Sequence, residues 1–251
     1  MTQLDSQLFD AVEKQNVELI EQLIANNADV NARNDKGIDT GHTPLHWART
    51  QEVAECLIAH GANINAKTGE GLTPLHVAYT AEVAECLIAH GANINAKDGE
   101  GLTPLHWART QEIAECLIAH GADVNAINGK GITPLHCANT AKIAECLIAH
   151  GADINAKDGD GATPLHWATI AEREEIAKCL IAHGVDINAR DEHGSTPLHW
   201  AKTAKSTKLL IEAGADVNAK NKDGWTVLML AIHRDNIAKV KLLLDAGVEI
   251  G

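Results

Sequence analysis

The stretch Gly101-Leu-Thr103-Pro-Leu-His-Trp-Ala108-Arg-Thr110-Gln-Glu-Ile-Ala-Glu-Cys-Leu-Ile-Ala-His-Gly121 reads as two short helices with almost nothing between them. Thr103 stands where an N-cap belongs, and Pro104 takes the first helical position, where its missing N–H costs nothing. Thr110 caps again, Glu112 in the following turn is favoured by the helix dipole, and Gly121 stops the second helix. Ile113, Ala114, Cys116 and Leu117 recur at helical spacing and mark one apolar stripe. A helix pair this short cannot bury that stripe alone, so it requires neighbours.

The neighbours are copies of itself. Thr-Pro-Leu-His starts at Thr43, Thr73, Thr103, Thr133, Thr163 and Thr196, and a worn copy, Thr226-Val-Leu-Met, follows. The spacing is 30 residues except for 33 between Thr163 and Thr196. A second marker, Asn-Ala, keeps phase at Asn31, Asn65, Asn95, Asn125, Asn155, Asn188 and Asn218. A fixed period overrides the one or two globular domains that 251 residues would otherwise suggest.

With these markers the chain resembles the ankyrin-repeat family, whose repeat is about 33 residues of β-turn plus two helices around Thr-Pro-Leu-His. The turn glycines Gly71, Gly101, Gly131, Gly161, Gly194 and Gly224, the Cys-Leu-Ile stretch and Gly-Ala-Asp-Val-Asn-Ala extend the likeness over nearly the whole chain. The resemblance implies an all-α solenoid of helix-turn-helix units joined by β-hairpin loops, about eight units in one domain over 1–251. It places an amino-terminal cap at 4–33, six internal repeats at 41–223 and a carboxy-terminal cap at 224–251.

The departures from the family carry information. Most internal repeats are three residues short, and alignment puts the loss between the two helices, so the end of helix one or the start of helix two should be trimmed. The repeat from Thr163 keeps full length through Ile170-Ala-Glu-Arg-Glu174, and the last one through His233-Arg-Asp-Asn236. The insertion Ile38-Asp-Thr-Gly41 lengthens the first hairpin loop and predicts a protruding finger. A 60-residue period lies above the first: Trp47-Ala-Arg49-Thr-Gln51 returns as Trp107-Ala-Arg109-Thr-Gln111, whereas the intervening repeats read Val77-Ala-Tyr79-Thr-Ala81 and Cys137-Ala-Asn139-Thr-Ala141.

Composition narrows the class. Hydrophobic residues at 45% exclude a disordered chain, and aromatics at 3% leave a core of Leu, Ile, Val and Ala. With 34 acidic against 21 basic residues, a net charge of −13 and no basic cluster, the chain does not bind nucleic acid. The start MTQLDSQLFD lacks the regions of a signal peptide, and no run approaches the roughly 18 apolar residues of a membrane span. The expectation is a monomer with no membrane contact, cytoplasmic or delivered into a host cell without a Sec signal.

Cys56, Cys86, Cys116, Cys146 and Cys179 each precede a histidine by four residues: His60, His90, His120, His150 and His183. Each pair shares a helix face, but zinc takes about four ligands, and pairs one helix layer (about 10 Å) apart do not converge. Buried thiols, no metal and no disulfide are therefore expected, in a reducing compartment. The other series, His46, His76, His106, His136, His166 and His199, by resemblance ties neighbouring turns together. Six copies at identical positions are the opposite of a unique catalytic site. No phosphate loop or nucleophile motif occurs, so neither enzyme chemistry nor a cofactor is expected. The tryptophans that follow the motif histidine are expected to pack between layers.

The resemblance also implies where a protein partner docks: on the concave face made by hairpin tips and first helices. The tips supply Glu70, Glu100, Lys130, Asp160, His193 and Asp223, and the first helices Arg49, Tyr79, Arg109, Asn139, Thr169 and Lys202. An acidic rim then faces a more basic wall. The function expected is a non-catalytic protein-binding scaffold. Its alternatives are a metal- or redox-responsive protein using the Cys and His series, or the regulatory or targeting fragment of a larger effector.

Overall fold

The computed structural model describes residues 1–34 and 40–249, and Ile38 and Asp39 of the finger expected at Ile38–Gly41 lie outside them. The chain divides into two compact halves, Met1–Asn128 and Gly129–Gly251. The first holds the helices Gln3–Glu13, Val17–Ala25, Gln51–Ala59, Ala81–Ala89 and Gln111–Ala119, with single 3-10 turns at Pro44–Trp47 and Pro104–Trp107. The second holds Pro134–Cys137, Ala141–Ala149, Pro164–Ile170, Glu174–Ala182, Pro197–Trp200, Ala204–Glu212, Val227–His233 and Ile237–Asp245. The hairpin loops form no sheet among the described residues, only one isolated bridge, Lys220 to Thr226.

Each second helix has nine residues, in long and short repeats alike. In the five short repeats a threonine caps it: the side chains of Thr50, Thr80, Thr110, Thr140 and Thr203 accept the N–H of Val53, Val83, Ile113, Ile143 and Ser206. The three missing residues therefore come wholly out of helix one, the first of the two alternatives left open by the sequence. Where the repeat is full-length, helix one runs for seven residues, Pro164–Ile170 or Val227–His233. Where it is short, only a four-residue turn survives, and at 74–77 no helix at all, just the turn bonds His76 N–H to Thr73 O and Val77 N–H to Pro74 O. The chain leaves helical geometry at Ala48, Ala108, Ala138 and Ala201, whose ψ lies between 120° and 127°.

Each half is cored by leucines at two repeated positions. Leu45, Leu75 and Leu105 come from the first turns, and Leu57, Leu87 and Leu117 from the second helices; Leu135, Leu165, Leu198, Leu147 and Leu180 repeat the pattern in the second half. All are at most 2% exposed, and each such burial contributes about 2 kcal/mol.

Full-length junctions fill the space that short neighbours leave. The Gln15 side chain, on the turn joining the first two helices, donates to Val12 O and Trp47 O and accepts the N–H of Arg49 and Thr50. Arg173 donates to Ala138 O at 2.9 Å, and Asn236 to Lys202 O at 2.8 Å. Lys239, 2% exposed, donates to Leu198 O and Ala201 O at 2.8 and 2.7 Å, and burial pushes its ammonium down to about 7. These donors meet carbonyls orphaned by the early end of a first helix.

Candidate protein-binding surface

Two ladders of hydrogen bonds set the surface in register. In the first, the motif histidine ring accepts the N–H of its own threonine at Nδ1, a capping box with His in the usual Glu place. Its Nε2–H donates to a carbonyl of the next repeat: His46 to Leu72, His76 to Leu102, His136 to Ala162, His166 to Ser195 and His199 to Trp225, at 3.1–3.3 Å. A carbonyl only accepts, so the Nε2–H tautomer is required. Burial lowers the pKa of all five, His46 to about 4, which keeps the rings neutral and excludes them as solvent-facing bases.

The Asn-Ala marker builds the second ladder. Asn65 accepts Asn93 N–H and donates to Gly91 O, and Asn31, Asn95 and Asn188 repeat both bonds. The hairpin tips are joined as well. Gly99 N–H donates to Glu70 O, Gly159 to Lys130 O, Glu192 to Asp160 O and Lys222 to His193 O, at 2.6–2.9 Å. A Cβ on Gly99 would lie 2.8 Å from Glu70 O, so this tip would have to shift to take a side chain there, although Glu192 and Lys222 make the equivalent bond. Tip backbones are spent on one another, and the Glu70, Glu100, Lys130, Asp160, His193 and Asp223 side chains remain exposed.

In the first half the wall residues converge. The Tyr79 ring lies between two guanidinium groups, with Arg49 Cζ 4.9 Å and Arg109 Cζ 5.7 Å from its centroid. Both are cation–π contacts, worth about 0.5–1 kcal/mol each at exposed sites. Arg49 and Arg109 are exposed, and neither makes an ion pair among the described residues. Arg109 and Tyr79 share a cavity of about 240 Å³ with Glu70, Trp47 and Trp107, so an acidic tip and a basic wall do meet here.

The four tryptophans that follow the motif histidine are half-buried, and three of them brace the hairpins. The indole N–H of Trp107, Trp167 and Trp200 donates to Asp98, Asp158 and Asp191 at 2.8–3.0 Å, while the other oxygen of each aspartate holds its hairpin turn. Trp47 is the exception: its indole N–H is buried with no acceptor among the described residues.

The second half is different. His193, Lys202 and Asp223 line one cavity of about 480 Å³ with Trp200 and Arg234, whereas Asn139, Lys130 and Asp160 are exposed without joining it. Thr169 corrects the sequence reading. It is 1% exposed and its hydroxyl donates to Leu165 O at 2.6 Å, because the full-length helix one carries this position inward. Gln15, Arg173, Lys239 and the Trp47 donor were missed in the sequence; the retained junction residues were the available signal for the first three.

Among the described residues the cysteines form no disulfide. Burial, then a glutamate of the preceding helix, raises the thiol pKa of Cys56, Cys86 and Cys179, the partners being Glu21, Glu55 and Glu145. Such thiols are poor nucleophiles. The following histidines donate Nδ1–H to the cysteine carbonyl at 2.8–2.9 Å. At Cys116 a third group joins the pair, the Glu85 carboxylate.

Among the described residues no helix is long and apolar enough to cross a membrane. No curated protein matches the chain significantly. Among solved structures, the ankyrin repeat domain of Bcl-3, described as a unique member of the IkappaB protein family, is similar. It is 27% identical over 81% of this chain and 96% of that one, with a TM-score of 0.61. A family model for ankyrin repeats matches residues 8–98, 79–158, 139–221 and 190–251. Repeat period, histidine and asparagine ladders, and this match over 8–251 agree: the chain belongs to the ankyrin-repeat family, whose domains typically bind proteins.

Proposed function

We propose that the chain is a non-catalytic scaffold that holds a protein partner on the face of hairpin tips and first turns, acting as a single monomeric domain over 1–251. The reading places it in the cytoplasm, or in a host cell after delivery without a Sec signal. The observation that carries it is the Arg49–Tyr79–Arg109 stack. Tyr and Arg are the side chains that most often dominate protein interfaces, and here they are pre-ordered, which reduces the entropy lost on binding. The guanidinium edges suit carboxylates. The partner of this reading is a protein segment that sets an acidic side chain next to an apolar one.

The test is capture by immobilised protein. Arg49→Glu with Arg109→Glu lowers retention of the partner at least tenfold while helical circular dichroism is unchanged. Equal retention, or loss of the fold, contradicts the assignment of these side chains to a binding surface.

A further inference from the structure

We propose that Glu85, Cys116 and His120 form a binding site for a zinc-like divalent cation. The site is built from two second helices, Ala81–Ala89 and Gln111–Ala119, and shares no residue with the Arg–Tyr stack. Cys116 Sγ lies 3.4 Å from Glu85 Oε2, and His120 Nε2 lies 3.2 Å from Glu85 Oε1. The three ligand atoms all fall within 4.8 Å of one another. Around a tetrahedral zinc with bonds of about 2.0–2.3 Å, neighbouring ligand atoms stand roughly 3.3–3.7 Å apart. Cys116 and His120 each stand at about that distance from Glu85, one from each carboxylate oxygen, and with one ligand atom taken per residue no edge exceeds 4.8 Å.

The surroundings fit as well. His120 Nδ1–H donates to Cys116 O at 2.9 Å, which orients the ring and aims Nε2 at the site, the outer-shell arrangement typical of a metal-bound histidine. The exposed Glu85 and half-exposed His120 leave a fourth position open to water. Thiolate, imidazole and carboxylate together favour zinc or cobalt over magnesium or calcium. On binding, the thiol proton is displaced to water, and carboxylate, thiolate, neutral imidazole and a doubly charged ion sum to zero.

The 60-residue period permits the cluster but does not by itself close it, since Ala141 frees Glu145 as Ala81 frees Glu85 and, among the described residues, no such cluster forms with Cys179. Gln51 and Gln111 donate to Glu55 and Glu115 at 2.7 Å and hold those carboxylates on their own helix. Position 81 is alanine, so Glu85 is left to reach the next helix. By contrast Cys56, Cys86 and Cys179 face their own His60, His90 and His183 at 3.9–4.0 Å. Among the described residues no other such cluster forms.

The test titrates the full chain, reduced with a non-thiol reductant, with Co²⁺ and then Zn²⁺. The wild type shows a thiolate-to-cobalt charge-transfer band that Zn²⁺ abolishes. Cys116→Ser removes the band, and Cys56→Ser keeps it. Ala81→Gln ligates nothing and installs the side chain already present at 51 and 111; it weakens binding about tenfold by holding Glu85 back. No band in the wild type, a band that survives Cys116→Ser, or unchanged affinity in Ala81→Gln overturns the site. Should Cys116→Ser fail to fold, as read by circular dichroism, Ala81→Gln decides.

Discussion

The repeat from Thr163 and the repeat from Thr103 differ by three residues at one junction, and that difference separates core from surface. In the long repeat, helix one reaches Ile170, the chain turns through Glu172 in a left-handed conformation (φ 58°), and Thr169 is sealed inside. In the short repeat the chain leaves helix one at Ala108, needs no left-handed residue, and places Arg109 outside. Between these two repeats, loss of the last helical turn converts an inward position into an outward one; in the full-length repeat from Thr226 the equivalent Ile232 is exposed. Where consecutive repeats are short, as at 49, 79 and 109, the outward side chains stack. Where a long repeat adjoins a short one, Arg173 or Lys239 fills the gap instead.

The comparison predicts which substitutions act alike in the two kinds of repeat and which do not. The largest effects fall on what they share. Leu117→Ala and Leu180→Ala, both at fully buried positions of second helices, each lower unfolding free energy by about 3 kcal/mol in urea titrations. A marked inequality would show that the shortened junction loosens the second helix too.

Acid attacks the shared histidine ladder with similar force. The unfolded chain protonates His46 near 6.5, but burial holds the folded ring near 4, so the unfolded state takes up the proton first. The stability is whole above about 6.5 and falls as pH drops toward 4, by about 3 kcal/mol for His46 alone. Thermal melting across that range checks it, and His46→Asn should flatten the lower part of the profile.

Next come the residues specific to long repeats. Lys239→Met strands Leu198 O and Ala201 O, and Arg173→Met strands Ala138 O; each costs about 2 kcal/mol. The smallest effect changes sign between the repeats. Glu172→Gly relieves a left-handed backbone and stabilises by about 1 kcal/mol, whereas Ala108→Gly, at φ −55°, destabilises by about as much.

The parts legible in the sequence were those that depend on order along the chain. The period, the threonine caps and nine-residue second helices follow from spacing, and the trimmed junction follows from alignment of Thr103 with Gly121. What stayed hidden depends on neighbouring layers. Arg49 and Tyr79 are 30 residues apart, and only stacking in register puts a guanidinium on that ring. Thr169 occupies the same motif position as Arg109, yet it lies within a helix that runs on to Ile170 and is sealed inside. Glu85 reaches Cys116 from the neighbouring second helix, a relation that neither the motif nor the 30-residue period singles out.

The central claim is that the short junction makes the binding surface, and a graft tests it most directly. Residues 109–112 are replaced by the sequence of 169–175, which lengthens the repeat from Thr103 to 33 residues, and partner retention is measured against the wild type by quantitative capture. The account predicts a folded protein, with unchanged or increased helical content, that retains the partner at least tenfold less well. A folded graft that retains the partner equally would contradict it and place the binding surface elsewhere on the chain.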